Sequence, residues 1–126
     1  MAQKSVLIVE DDLFLQKAYQ TSFEAENMVV TVMPDGMKAM EVMKTTIPDL
    51  VILDLVMPKK NGMEVLKEMR QDEKLKNVKV MITTNMNQEA DKELCKNLGI
   101  TEEGYLVKTD HPIQEVVNRA KKLIGS

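Results

Sequence analysis

Acidic, hydroxyl and basic side chains directly follow four apolar runs of this sequence. Glu10 and Asp11 follow "VLIV", Asp54 follows "LVIL", Thr83 follows "VKVMI" and Lys108 follows "YLV". Clustered carboxylates raise one another's pKa unless a cation lies between them, and oxygen ligands suit a hard divalent ion such as Mg²⁺. A lysine ammonium can pair with a carboxylate or with an incoming anion. Together, these groups could bring a phosphoryl group to a carboxylate nucleophile, with the threonine donating to a phosphoryl oxygen.

A structural role is the alternative for each of these residues taken alone. Acids at strand ends are common as helix caps, and Asp12, immediately before "LFLQ", is predicted to be one. Chance is a weaker explanation for the whole set, because every member falls where a parallel sheet binds its ligands. The pattern therefore favours one shared site over several unrelated caps.

Five short apolar runs alternate with five segments of helical periodicity. The strands are predicted over 5–9, 28–32, 50–54, 78–82 and 105–108. The helices are predicted over 13–26, from the turn at 34–36 until Pro48, over 63–71, over 88–97, and from Pro112 through Ile124. This alternation predicts an α/β fold with a five-stranded parallel sheet, doubly wound with helices on both faces. Ligands of such sheets bind outside the carboxyl ends of the strands.

Local signals refine the helices. Asp35 is predicted to cap the second helix, Pro112 to occupy the first helical position of the last one, and Gly99 to close the fourth. Periodicity also predicts which side chains of the first two helices face inward. These are Leu15, Ala18, Tyr19 and Ser22 on the first helix, and Ala39, Met40, Met43 and Ile47 on the second.

Composition bounds the class of protein. The chain has 126 residues, 44% hydrophobic and 29% charged, which is typical of one globular domain, predicted to span 1–126. A net charge of −3 without a basic run predicts no nucleic-acid partner. No apolar run approaches the roughly 20 residues that cross a bilayer, and the start does not resemble a signal peptide, so no membrane association is predicted. The single cysteine, Cys95, excludes an internal disulfide, and a cytoplasmic location is expected.

The sequence resembles the receiver (response regulator) domain of bacterial two-component signalling over essentially its whole length. The segments that carry the resemblance are "VLIVEDD", "DLVILDLVMPKKNG", "VKVMITT" and "YLVK". The resemblance implies a flavodoxin-like (βα)5 receiver fold in which Asp54 is the phosphorylated residue. It implies that Mg²⁺ is held by Asp11 directly, by Glu10 through water, by Asp54, and by the backbone carbonyl of Val56. Thr83 matches the switch hydroxyl, Tyr105 the switch aromatic, and Lys108 the lysine of the family's site.

The resemblance also implies partners and a mode of action. The phosphoryl group would come from a phosphohistidine on a histidine kinase or a histidine phosphotransfer protein. The signal would be a repacking of the face made by helix four, strand five and helix five, read by a downstream protein that the sequence does not identify. The chain would be a signalling phosphoacceptor rather than an enzyme, and would act as a stand-alone receiver. A homodimer through the last two helices would need only modest apolar patches.

Some positions affect the rate of autodephosphorylation in the family, and others depart from the family's sequence pattern. Val56 and Asn85 occupy positions that the family uses to tune autodephosphorylation, and the apolar Val56 predicts a longer-lived phosphoryl group. The family usually has Lys-Pro with a cis bond after strand five, whereas Lys108 precedes Thr109 here, so a trans bond is expected. Thr84 replaces a very small residue and would narrow access to the phosphoryl group. The loop between Gly99 and Tyr105 is longer than usual.

Three other functions compete with a phosphorylated receiver. A flavin-binding module would place glycine-rich or hydroxyl-rich backbone after strand one, where this chain has three acids. A phosphatase of the haloacid dehalogenase class would have a second aspartate at the position of Val56. The third alternative is a degenerate receiver that binds partners without being phosphorylated, which Thr84 and Thr109 keep open. The only histidine, His111, is predicted to cap a helix or face solvent.

Overall fold

A computed structural model describes residues 3–57, 59–85, 88–108 and 110–125. It contains a five-stranded parallel sheet with the strand order β2-β1-β3-β4-β5. The strands are β1 (Ser5–Val9), β2 (Val29–Met33), β3 (Leu50–Asp54), β4 (Lys79–Thr84) and β5 (Tyr105–Val107). The helices are α1 (Leu13–Glu24), α2 (Gly36–Met43), α3 (Gly62–Gln71), α4 (Glu89–Asn97) and α5 (Ile113–Ile124). The predicted doubly wound α/β fold is therefore confirmed.

The two faces of the sheet bury separate hydrophobic clusters, because successive residues of a strand point to opposite sides. We call one side the α1/α5 face, after the helices that cover it. Its strand residues are Val6, Ile8, Leu50, Ile52, Met81 and Leu106. We call the other side the α2/α3/α4 face. Its strand residues are Leu7, Val9, Val51, Leu53, Val80, Ile82 and Tyr105. The continuous apolar run of β3 fits a central strand that is buried on both faces.

Side-chain caps fix where the first three helices begin. The Asp12 carboxylate accepts a hydrogen bond from the Leu15 backbone N–H, and Asp35 accepts one from Lys38 in the same way. Asn61 starts α3 with a capping box that is completed by Glu64. The predicted caps at Asp12 and Asp35 are confirmed. Both helices begin at the carboxyl edge of the sheet and run back along it.

Several predicted details are wrong. Helix α2 ends at Met43 rather than at Pro48, so Ile47 lies outside it and is exposed instead of facing the core. On α1 the fully buried residue is Phe23, which was not placed on the inward face. Pro112 is the residue before α5, whereas a position within the first turn was predicted. Helix α2 ends about one turn earlier than predicted and α5 begins one residue later, because local sequence alone places helix ends imprecisely.

The ends of the last two strands also differ from the predicted ones. β4 continues through Thr84, two residues beyond its predicted end, because it pairs with both β3 and β5 there. β5 ends at Val107, so Lys108 follows the strand instead of closing it. The extra residues before β5 form a short 3₁₀ turn over Glu102–Gly104, and Gly99 adopts the left-handed conformation predicted for it.

Candidate functional site

Four polar residues of the predicted set lie at the carboxyl edge of the sheet on its α1/α5 face. Asp54 continues the alternation of Leu50 and Ile52, and Glu10 continues that of β1. Thr83 of β4 pairs in register with Asp54 of β3, and Lys108 is the first residue after the neighbouring strand, β5. Parallel strands with matched ends therefore bring together residues that are far apart in sequence.

The Lys108 ammonium bridges two buried carboxylates. Its Nζ lies 2.7 Å from Oε1 of Glu10 and 3.1 Å from Oδ2 of Asp54. Glu10 is 2% exposed and Asp54 is 4% exposed, so neither carboxylate is compensated mainly by solvent. The backbone also holds Glu10, whose Oε2 accepts a hydrogen bond from the Asp12 N–H at 3.1 Å. The result is a buried anionic site built around one cation.

The Lys108 ammonium is shared between two carboxylates, and this imbalance of charge shifts pKa values in the site. Burial raises the pKa of Glu10 to about 7, and the charge of Asp54 adds to the rise, against the opposing hydrogen bond from Lys108. Burial works against the charged form of Lys108, but its hydrogen bond to Glu10 and the charge of Asp54 together raise its pKa. Lys108 is therefore a cation throughout the physiological pH range, and the site favours one further positive charge.

Three carboxylates offer oxygens to such a charge. One oxygen each of Glu10, Asp11 and Asp54 lies within 4.8 Å of the other two. Glu10 and Asp54 are buried and Asp11 is exposed, so the cluster opens towards solvent on one side. An all-oxygen set with room for water suits Mg²⁺ better than softer metals. The residues present fit the predicted ion, and Asp12, which caps α1, is not part of the cluster.

The loop after β3 folds closely over Asp54. The Val56 N–H donates to Oδ1 of Asp54 at 3.1 Å, which orients the carboxylate, while the Val56 side chain is 62% exposed. Gly62 donates its N–H to the Leu55 carbonyl, and a Cβ at Gly62 would clash with the backbone carbonyl of Asp54. A residue without a side chain is therefore required where this loop returns. The Val56 carbonyl as a metal ligand stays a prediction.

Two adjacent threonines end β4 on opposite faces. Thr83 shares the α1/α5 face with Asp54, and the alternation of the strand directs Thr84 to the α2/α3/α4 face. Both are 1% exposed. The Thr83 carbonyl accepts a hydrogen bond from the Leu55 N–H at 3.2 Å, so β4 is tied to the first residue after Asp54.

Tyr105 lies on the opposite face from the acidic cluster. It pairs in register with Ile82, is 8% exposed, and belongs to the core cluster of the α2/α3/α4 face. Its hydroxyl is buried and has no hydrogen-bond partner within the described part of the chain. Its ring borders a cavity of about 270 Å³ against α4, which Cys95 and Ile100 also line. The predicted switch residue therefore occupies an inward position, and no described residue hydrogen-bonds to its hydroxyl.

Tyr19 is a site neighbour that the sequence placed only in the core. It is 3% exposed on α1, and burial raises the pKa of its phenol. The charge of Lys108 opposes that rise, so the phenol lies within electrostatic reach of the predicted site. A polar tip on an otherwise apolar helix face is the signal that could have identified it.

Two other predicted positions are at least partly exposed to solvent. Asn85 is exposed after β4. The His111 ring is partly exposed beside α5, with Nδ1 2.8 Å from a Glu115 carboxylate oxygen, which agrees with a local role at that helix. The bond from Lys108 to Thr109 lies outside the described residues. Among the helices that the structure describes, none is long and apolar enough to cross a membrane.

Comparison with known proteins decides between the candidate families. The sequence profile of the response regulator receiver domain matches residues 6–120. The chain belongs to this receiver family. The polar-differentiation response regulator DivK of Brucella ovis is 30% identical over 105 residues, covering 83% of this receiver and 84% of DivK. This membership leaves the flavin-binding and haloacid dehalogenase alternatives without support.

Longer relatives share only their receiver portion with this chain. The aerobic respiration control protein ArcA of Escherichia coli is 33% identical over 125 residues, covering 99% of this receiver and 50% of ArcA. The alkaline phosphatase synthesis transcriptional regulatory protein PhoP of Bacillus subtilis is 31% identical over 121 residues, covering 96% of this receiver and 48% of PhoP. The chain thus spans about half the length of these two curated relatives.

Solved structures agree with the fold of this receiver. The chemotaxis protein CheY4 of Vibrio cholerae superimposes with a TM-score of 0.87 at 23% identity, covering 97% of this chain and 99% of that one. The receiver domain of the Francisella response regulator 1452 gives a TM-score of 0.86 at 27% identity, with 98% of each chain covered. The flavodoxin-like receiver fold is therefore confirmed.

Proposed function

We propose that this receiver accepts a phosphoryl group on Asp54 from a phosphohistidine of a histidine kinase or a histidine phosphotransfer protein. The observation that carries the proposal is the buried bridge of Lys108 between Glu10 and Asp54, with Asp11 at its solvent side. A structural ion pair needs one carboxylate for one ammonium. A second buried carboxylate with a third beside it adds negative charge that either a proton on Glu10 or a further cation must offset.

The chain's own groups have distinct roles in the transfer. A carboxylate oxygen of Asp54 attacks phosphorus, and the bond between phosphorus and the imidazole nitrogen of the donor breaks as the new bond forms. The Val56 N–H holds the other Asp54 oxygen in place during the attack. Lys108 is already within 3.1 Å of Asp54, so its charge pairs with the incoming phosphoryl oxygens without a large movement. Thr83 donates its hydroxyl to one of them.

Mg²⁺ fits the same residues. Glu10, Asp11 and Asp54 would hold it, with the Val56 carbonyl as a further ligand. When bound, it neutralises charge on the carboxylates and on the transferring phosphoryl group. The chain acts as a signalling phosphoacceptor whose chemistry is its own phosphorylation and dephosphorylation. We place it in the cytoplasm, where the donor phosphohistidines would be formed.

The output is proposed to be the face formed by α4, β5 and α5. Thr83 and Tyr105 lie on opposite faces of neighbouring strands, so a Thr83 side chain drawn towards the phosphoryl group alters the packing at the β4–β5 edge. Tyr105 already lies inward, with a hydroxyl that has no hydrogen-bond partner among the described residues, and phosphorylation would change how this ring is held. The result is a two-state surface biased by a new local charge.

A degenerate receiver that works without phosphorylation is the second candidate. It is favoured by Thr84, which is buried beside the switch threonine where the family has a very small residue. The two candidates share the fold and differ only in whether Asp54 reacts.

Intact mass after incubation with acetyl phosphate tests the proposal. We expect a gain of about 80 Da in the presence of Mg²⁺ and none when the metal is chelated. Asp54→Asn should abolish the gain. Asp49→Asn is the matched control, because Asp49 precedes the same strand at its other end and bonds to Ser5. A wild-type protein that gains no mass from acetyl phosphate or from a phosphohistidine donor would establish the degenerate receiver instead.

A further inference from the structure

Four basic side chains line one cavity at the amino edge of the sheet, which we call the amino-edge cleft. They are Arg70, Lys76, Lys79 and Lys122, and the cavity has a volume of about 450 Å³. None of its described lining residues is acidic. The four cations come from α3, the segment after it, β4 and α5, so no basic run in the sequence reveals them. The fold alone brings this charge together.

Arg70 is the fixed member of this set. Its Nε donates to the Leu98 carbonyl at 2.7 Å, and its Nη1 donates to the carbonyls of Lys76 at 3.2 Å and Val78 at 2.8 Å. The two N–H groups of Nη2 have no acceptor among the described residues. A Cβ at Gly99 would lie 3.9 Å from Nη2, so the missing side chain leaves space beside it. The guanidinium is therefore held in one orientation with two donors left for a ligand.

The half-buried guanidinium of Arg70 favours an anion. Burial lowers its pKa, and no carboxylate of the described residues forms an ion pair with it to oppose that effect. An arginine keeps its proton even so, which means that a full positive charge is stabilised here by carbonyl dipoles only. Charge-assisted hydrogen bonds to phosphate oxygens are stronger than bonds to neutral carbonyls. A phosphate group beside Nη2 would thus add a stabilisation that the protein itself does not supply.

Nearby negative charge offsets only part of the basic cluster. The Lys76 Nζ lies 3.0 Å from a Glu73 carboxylate oxygen, and Lys79 donates to the Leu123 carbonyl. The last turns of α3, α4 and α5 add about half a negative charge each, which together with Glu73 remains below four full positive charges. The acidic cluster lies at the other end of the six-residue strand β4, roughly 17 Å away. That distance exceeds the Debye length of about 8 Å at physiological salt, so the two charged sites act independently.

We propose that the amino-edge cleft binds a small anion with two linked phosphate groups, either inorganic diphosphate or the diphosphate of a nucleotide. Nη2 of Arg70 would donate to one phosphate, and the flexible ammonium groups of Lys76 and Lys122 would pair with the other. The cavity volume falls within the range of small-molecule sites, roughly 300–1,000 Å³. Two phosphates use more of the clustered charge than one does. The inference goes beyond phosphorylation of Asp54 and does not depend on it.

Calorimetric titration of the full chain tests the proposal. Inorganic diphosphate and ADP would be added separately, in buffer stripped of divalent ions. The double variant Lys76→Gln/Lys122→Gln should raise the Kd for diphosphate roughly five- to tenfold, because two exposed charge pairs are lost. Lys17→Gln/Lys67→Gln removes the same charge from exposed positions outside the cleft and should change the Kd less than about twofold. Absence of saturable binding to the wild type, or equal weakening in the two variants, would overturn the proposal.

The two ligands also distinguish the source of the diphosphate. Tighter binding of ADP than of inorganic diphosphate would support a nucleotide as the ligand. Equal Kd values would support recognition of the diphosphate alone. Binding of orthophosphate as tight as that of diphosphate would overturn the assignment of two phosphate groups.

Arginine side-chain NMR locates the bound anion without a mutation. The ¹⁵Nε resonance of Arg70 should shift on addition of diphosphate, while that of Arg119, which pairs with Glu115, should stay. Asp54→Asn should bind diphosphate with unchanged Kd, which separates this site from the proposed phosphorylation. A shift confined to the Lys108 ammonium, with Arg70 unchanged, would place the anion at the opposite edge of the sheet and overturn the proposal.

Discussion

The two faces of the sheet differ at its carboxyl edge although both are equally well buried. At this edge the α1/α5 face carries Glu10, Asp54 and Thr83, beside Lys108. On the α2/α3/α4 face the last strand residues are apolar except for Thr84. A shift of one residue in the register of a strand would move that strand's polar end residue to the other face. The site is therefore an outcome of strand register, which places Glu10 and Asp54 on the same face.

Removal of the shared cation should be the most damaging change to the α1/α5 face. Lys108→Met leaves the Glu10 and Asp54 carboxylates without their only described cation, and breaking such a buried pair costs about 3 kcal/mol or more. Urea denaturation at about pH 8 without divalent ions would measure the loss.

Lys79→Met is the control for that loss. Lys79 starts β4 at the other edge of the sheet, is exposed, and bonds to a backbone carbonyl. We expect its replacement to change the free energy of unfolding by less than about 1 kcal/mol. Similar losses in the two variants would mean that the acidic cluster has no special dependence on Lys108.

The loop that connects β3 to α3 should be nearly as sensitive to substitution as Lys108 is. An added methyl at Gly62 meets the Asp54 carbonyl and the Leu55 backbone, so Gly62→Ala should destabilise the fold by about 2 kcal/mol and weaken Mg²⁺ binding. Gly104→Ala is a matched control, because its methyl would make only ordinary contacts. Thermal unfolding and Mg²⁺ titration of both variants provide the measurements. Equal Mg²⁺ affinities would separate this loop from the metal site.

Protonation of Glu10 should give the α1/α5 face a pH dependence that the other face lacks. Its folded-state pKa of about 7 lies above the ordinary value of 4.5, so the folded state binds the proton more tightly than the unfolded state does. Stability without metal should therefore rise as the pH falls through 7, by about 1 kcal/mol between about pH 8 and about pH 6.

Two measurements sharpen that prediction. Urea denaturation of Glu10→Gln should lack this component of the pH dependence, because the amide does not titrate. Mg²⁺ affinity of the wild type should weaken over the same interval, since the proton competes with the metal for the carboxylate. If the difference in stability between the wild type and Glu10→Gln stays constant from about pH 8 to about pH 6, Glu10 does not titrate in this interval.

Thr83 and Thr84 allow the two faces to be compared through the smallest chemical change, because they are adjacent on β4 and point to opposite faces. Thr83→Val removes a hydroxyl from the face of Asp54, and we expect phosphorylation by acetyl phosphate to slow roughly threefold or more. Thr84→Val makes the same chemical change on the opposite face and keeps the side chain's size, so the rate should stay within about twofold. Intact mass against time measures both. Equal slowing would show that the alternation of β4 does not decide which hydroxyl serves the site.

Much of this arrangement was predictable because it depends on short-range rules. The apolar run Leu50–Leu53 predicts a strand buried on both faces, and such a strand in an alternating sequence predicts the parallel sheet. The caps at Asp12 and Asp35 follow from local hydrogen-bond chemistry. Both kinds of signal involve residues within a few positions of one another, so no knowledge of the tertiary structure is needed.

Other features needed packing information that the sequence does not display. Ile47 was predicted to face inward, but α2 stops a turn earlier and exposes it. Periodicity also missed Phe23, the most deeply buried residue of α1. On α1 more than one apolar stripe is present, and contact with neighbouring elements selects the one that is buried. At Ile47 the helix ends before the predicted inward position is reached.

The sequence by itself determined the order of strands and helices, the caps, and the set of polar residues at the strand ends, because spacing and residue type carry that information. The tertiary structure alone decided that Lys108 is shared between Glu10 and Asp54, and that Tyr19 of α1 is buried on the same face of the sheet. Those contacts join segments that are distant along the chain. Their geometry depends on the register of four strands and on how α1 packs across them, which no local pattern encodes.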